Sequence, residues 1–119
     1  MLKDATCFKN VYIVCGFTDL RKGIDSLAAV IADRTDISPS VPDTLFLFCG
    51  RRHDKLKGLV WEKDGYLLLY KRLSDGYFQW PRYEEDVRHL TQEQFLDLME
   101  GFAVERKVTI REVHPEYIV

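Results

Sequence analysis

Long apolar runs are missing from this chain. No stretch approaches the roughly 20 residues that a helix needs to cross a bilayer. The opening Met1-Leu2-Lys3-Asp4-Ala5-Thr6 lacks the apolar segment of a secretion signal. A soluble, cytoplasmic protein without a membrane partner is the expectation. Cysteine is scarce as well: Cys7, Cys15 and Cys49 form no C-x-x-C and leave an odd number, which argues against a disulfide framework. Cys15 and Cys49 lie in apolar stretches, where a reduced thiol behaves as a small hydrophobe. His53, His89 and His114 are scattered with no metal-ligand spacing, and no nucleophile elbow, Walker motif or dinucleotide glycine pattern occurs. His53 and Asp54 are neighbours on a loop, which does not orient them as a dyad. No catalytic residue, metal site or cofactor is expected, and an enzyme is not.

What is present is one core. Of 119 residues, 46% are hydrophobic and 13% aromatic, too much for a disordered chain and enough for one domain, 1–119. Its body spans about 10–102, with an extension over 103–119. The formal charge of −2 hides an uneven distribution. Residues 1–50 carry five Lys/Arg against six acids, residues 51–82 eight against four, and residues 83–119 four against nine. A basic middle beside an acidic end points to an anionic partner at one place.

The pattern predicts a strand over Asn10 to Cys15, broken by Gly16, then a helix capped by Thr18 and running to Arg34. Leu20, Ile24, Leu27 and Ile31 form its apolar stripe. Thr35 to Asp43, with Pro39 and Pro42, is loop. Thr44 to Cys49 is apolar on both faces, as a central strand should be. Two more strands, Leu56 to Lys63 and Tyr66 to Leu73, flank Asp64-Gly65, a type I′ hairpin signal. A short strand from Tyr77 to Trp80 follows and ends at Pro81. Thr91 and Gln94 form a capping box, Leu90 and Phe95 a hydrophobic staple, and Phe95, Leu98, Met99 and Phe102 the face of a second helix that stops near Gly101. Lys107 to Val113 alternates weakly as one further strand. The order implies an α+β domain: a mixed, mostly antiparallel sheet, strand-helix-strand then meander, packed with two helices.

The hairpin pairing Trp61 with Leu68 and Leu59 with Tyr70 puts Lys57, Leu59, Trp61, Lys63, Tyr66, Leu68, Tyr70 and Arg72 on one face. Rings mixed with cations can stack bases and neutralise phosphates. Core packing explains Trp61 and Tyr70 better, while the cations fit a snorkelling rim or a binding surface equally. Arg51, Arg52 and Lys55 share a loop, where guanidinium forks suit phosphate or carboxylate, or where Asp54 neutralises one of them. Arg21 and Lys22 fall in the first turn of the first helix, opposed to its dipole unless an anion binds there; an ordinary Arg21–Asp25 pair is the simpler account.

Several motifs together resemble the TnpB-type accessory proteins of insertion-sequence-66 transposable elements. They are Asp19-Leu20-Arg21-Lys22-Gly23, Leu45 to Phe48 leading into Arg51 to Lys57, Trp61 with Asp64-Gly65, Tyr70-Lys71-Arg72-Leu73, Gly76 to Arg82, and Leu90-Thr91 through Phe102. The resemblance implies a non-catalytic partner in DNA transposition, acting beside the element's transposase. It also favours Arg21, Lys22, Arg51, Arg52, Lys71 and Arg72 as functional cations. With Lys55, Lys57 and Arg82 they make nine candidates for contact with DNA phosphates. The expected role is to help assemble the transposase–DNA complex. The alternatives are a module that binds the transposase without touching DNA, or a regulator of element expression.

Overall fold

The computed structural model describes residue 2, residues 7–82 and residues 87–104. The elements run β1 (Asn10–Val14), α1 (Ile24–Arg34), β2 (Thr44–Cys49), β3 (Lys55–Trp61), β4 (Tyr66–Arg72), β5 (Val87–Leu90) and α2 (Gln92–Met99). The strands form one sheet in the order β4-β3-β2-β1-β5. β1 and β2 are parallel, joined by the α1 crossover, and the pairings β1–β5, β2–β3 and β3–β4 are antiparallel. The α+β architecture expected from the pattern is the one observed.

β2 lies mid-sheet and all six of its residues are buried. Its alternate side chains serve two cores. Leu45, Leu47 and Cys49 join Val11, Ile13, Leu56, Val60, Phe78 and Trp80 under Phe95, Leu98 and Met99 of α2. Phe46 and Phe48 join Val14 and Leu59 under Leu27 and Ile31 of α1, with Leu20 and Ile24 packed against them. The apolar stripe read in the first helix is therefore the one that faces the sheet. Gly58, in the middle of β3, lets Leu45 and Leu47 pack close: a Cβ there would stand 3.0 Å from Leu45 Cδ1 and 3.5 Å from Leu47 Cδ2. Cys49 is buried in this packing beside Asp54, and desolvation, then that carboxylate, push its thiol up to about 12.

The second helix starts as its sequence indicates. Thr91 Oγ1 accepts from the Gln94 amide at 3.1 Å, and Gln94 Oε1 accepts from the Thr91 amide at 2.8 Å. Gly101 follows at φ 92°, the left-handed position where helices commonly stop.

Four details differ from the pattern. α1 begins at Ile24 with Gly23 as its N-cap, not at Thr18. The Thr18 amide instead donates to Cys49 O at 2.9 Å, so residues 17–22 pass the end of β2 as a loop that turns at Leu20-Arg21, where Lys22 N donates to Asp19 O at 3.1 Å. Arg21 and Lys22 consequently precede the helix and are not in its first turn. The β3–β4 hairpin turns around Lys63-Asp64, one residue earlier than Asp64-Gly65. Glu62 N donates to Gly65 O at 2.8 Å, Asp64 N to Glu62 O at 2.7 Å, and Lys63 takes φ 69°. The register moves by two, pairing Trp61 with Tyr66 and Lys57 with Tyr70. Because strand faces repeat every two residues, the cation-and-ring face survives this slip. Tyr77 to Trp80 pairs with no strand among the described residues: Phe78 and Trp80 turn inward while Tyr77 faces solvent, and Trp80 Nε1 donates to Val14 O at 2.8 Å. β5 is a strand that the pattern did not indicate. The alternating stretch from Lys107 to Val113 lies outside the described residues.

Candidate anion-binding groove

The face shared by β3 and β4 extends past the edge of α1. There Leu68 and Tyr70 form the floor of an open groove of about 960 Å³, walled by residues 17–21 and by the β2–β3 loop. Arg21, Arg51, Arg52, Lys55 and Lys57 line it, against the carboxylates Asp19 and Asp54. Three separate segments thus supply five cations to one concavity.

Each wall has a local cause. Gly50 lets the loop approach Leu20, since a Cβ there would stand 3.1 Å from Leu20 Cδ1. His53 N donates to Gly50 O at 3.1 Å, leaving Arg51 and Arg52 exposed at the tip of the turn. His53 itself adopts φ 62° and is buried, its ring 5.2 Å from that of Phe17. Burial and then the Arg82 guanidinium, 3.4 Å from its Nε2, hold its pKa below the ordinary 6.5. On the floor, Lys57 Nζ donates to Lys22 O at 3.0 Å and so ties the loop before α1 to the sheet.

The cations are not equivalent. Arg21 chelates Asp19, with Nε at 3.0 Å from Oδ1 and Nη2 at 2.8 Å from Oδ2. That pairing holds the Asp19 carboxyl well below the usual carboxylate range and replaces the Arg21–Asp25 pair. Among the described residues, no carboxylate ion-pairs with Arg51, Arg52, Lys55 or Lys57. Asp54 lines the groove without an ion pair to the loop arginines, and its Oδ1 is buried without a hydrogen-bond partner, as is Thr18 Oγ1.

The other four candidates lie around or away from the groove. Arg72 pairs with Lys55 in the register and so shares its face, while Lys22 borders the groove through its carbonyl. Lys71 pairs with Leu56, on the α2 side of the sheet. Arg82 stands beyond Phe17, lining a second cavity of about 560 Å³ with Tyr77, Gln79 and Trp80.

Phe17 was not indicated by the sequence. Its ring is 41% exposed, with the guanidinium of Arg51 6.0 Å and that of Arg82 5.3 Å from its centre. Cation–π attraction of this kind orders flexible side chains without consuming their charge. The only sequence signal was a large ring just after a strand-ending glycine, three residues before the stripe of α1 and easily read as part of it. Tyr70, at 57% exposure, stands in the groove, whereas Trp61 is half-buried against Tyr66. Trp61 belongs to neither core and Tyr70 is exposed, so the core explanation holds in full for neither ring.

A family model described as IS66 Orf2-like protein matches residues 9–109. The chain belongs to that family. This Orf2-like chain is 34% identical over 92 residues to the uncharacterized protein y4hO of Sinorhizobium fredii (strain NBRC 101917 / NGR234), covering 77% of this chain and 79% of that one. It is 30% identical over 83 residues to the uncharacterized protein y4jC of the same strain, 70% of each chain. No solved structure matches it. The family places the Orf2-like chain among accessory proteins associated with IS66 transposition. No helix among its described residues is long and apolar enough to cross a membrane.

Proposed function

We propose that this IS66 Orf2-like chain contacts DNA phosphates through the groove and so helps assemble the transposase–DNA complex of its element. The observation that carries the reading is the convergence of Arg51, Arg52, Lys55 and Lys57 in one concavity without carboxylate partners among the described residues. Unpaired cations keep their full attraction for a polyanion, whereas a chelated one such as Arg21 must first give up its partner. Arg72 on the same face extends the basic surface. Lys71 and Arg82 are assigned no part in it, because they stand on the other face and beyond Phe17.

Phosphate contacts of this kind read charge and not base sequence, so binding is weakly sequence-specific. Four contacts give a slope of log affinity against log salt of about −3 to −4 on duplex DNA. Replacing Arg51 and Arg52 together by alanine reduces the slope by about 2 and weakens binding uniformly across sequences. Titration of labelled duplex by fluorescence anisotropy at several salt concentrations measures both. Unchanged binding in the double variant removes the loop from the interface. Absence of binding at low salt, with the transposase co-purifying, replaces DNA by an acidic surface of that protein as the groove's partner.

A further inference from the structure

We infer that this chain forms a symmetric dimer in which β4 of one copy pairs antiparallel with β4 of a second, centred on Leu69. The inference does not depend on the DNA reading.

β4 is the outer strand of the sheet, with only β3 beside it among the described residues. It runs in unbroken register from Lys55↔Arg72 to Trp61↔Tyr66, without a bulge. Its first five residues, Tyr66-Leu67-Leu68-Leu69-Tyr70, include no charge, proline or glycine. Edge strands that stay unpaired are normally guarded by such features. The two charges of β4, Lys71 and Arg72, sit together at its end, whereas β5 at the opposite edge has four residues with Arg88 and His89 at its middle. β4 also leaves Leu67 39% and Tyr70 57% exposed.

The phase of the β3–β4 ladder fixes which amides are available. Leu73 N donates to Asp54 O at 2.7 Å, and Glu62 N donates to Gly65 O at 2.8 Å, both on the register of the ladder. Hydrogen-bonded pairs in an antiparallel ladder alternate, so Leu67, Leu69 and Lys71 turn their N–H and C=O toward β3. Tyr66, Leu68, Tyr70 and Arg72 turn theirs outward. Outward residues of one copy can bond only to outward residues of the other. Centring the two-fold on Leu69 uses all four, opposing Tyr66 to Arg72 and Leu68 to Tyr70 in both directions. Centring on Leu68 leaves Arg72 facing the turn at Asp64, and centring on Tyr70 leaves Tyr66 without a mate.

The side chains agree with that register. On the groove side, the guanidinium of Arg72 meets the ring of Tyr66, and Leu68 meets Tyr70. On the α2 side, Leu69 meets its own copy, and Leu67 meets the aliphatic stem of Lys71. No like charges are opposed, and such cross-strand pairs are the stabilising unit of a sheet. A two-fold axis that extends an antiparallel sheet is perpendicular to it, so both grooves open on the same side. Tyr70, on each groove's floor, stands at the seam.

The full-length chain, without DNA, tests the inference. Light scattering is expected to give twice the 14.0 kDa of one chain, falling toward one on dilution. Amide exchange is expected to show Leu67, Leu69 and Lys71 protected at every concentration. Leu68, Tyr70 and Arg72 gain protection only as the dimer forms. Tyr70→Pro removes an outward N–H and no intrachain bond, a substitution edge strands tolerate. It is expected to weaken the dimer by at least about tenfold while circular dichroism stays native. A single-chain mass at all concentrations overturns the inference, and so does a dimer that Tyr70→Pro leaves intact. Should that variant not fold, the wild-type exchange pattern decides: outward amides that exchange fast regardless of concentration overturn it.

Discussion

His53 shows how much one residue of the β2–β3 turn holds together. Its positive φ leaves Arg51 and Arg52 at the tip while its ring goes inward against Phe17. Its carbonyl accepts from Phe78 N at 2.7 Å, which anchors the segment leading to Trp80. Burial and the Arg82 charge favour the neutral imidazole. The unfolded chain therefore takes up a proton near pH 6.5, while the folded chain does so only at lower pH. The stability this residue contributes is complete above pH 6.5 and lost as pH falls through its depressed folded value. His53→Asn keeps a side chain that tolerates positive φ and removes the titration. Urea midpoints between pH 7 and 5 are expected to fall less steeply in that variant than in the parent.

Among the elements, those whose character is local were legible in the residues. β2 declares itself by burial on both faces, and α2 by its capping box. What escaped was set by tertiary partners. β5, the short Val87–Leu90, is a strand because Val11 to Val14 offer it a ladder, which nothing in its own sequence announces. Tyr77 to Trp80 alternates like a strand because Phe78 and Trp80 cover the α2 face, and alternation reports burial without reporting pairing. The cations of the groove were legible as residues but not as a group, since Lys71 and Lys57 differ only in which face each occupies. Gly58 belongs to this scale too, because it sets how closely β2 and β4 side chains meet across β3. Gly58→Val is expected to destabilise the fold by about 1–3 kcal/mol through overpacking against Leu45, Leu47 and Leu69. A lower urea midpoint at unchanged m-value checks it.

Across the molecule, the sheet separates two tasks. The α2 side is closed by a helix and by the Phe78–Trp80 segment, and the α1 side is closed only in part, leaving the cationic concavity. The three thiols divide along the same lines. Cys7 is exposed, while Cys15 and Cys49 are buried on the α2 side of the sheet. A thiolate is the reactive species, and Cys49 is kept protonated where it sits. An aromatic disulfide reagent is therefore expected to consume one equivalent at once and the remaining two only as molecules open. The slow phase, followed by absorbance, is a chemical clock for opening events that requires no engineered label.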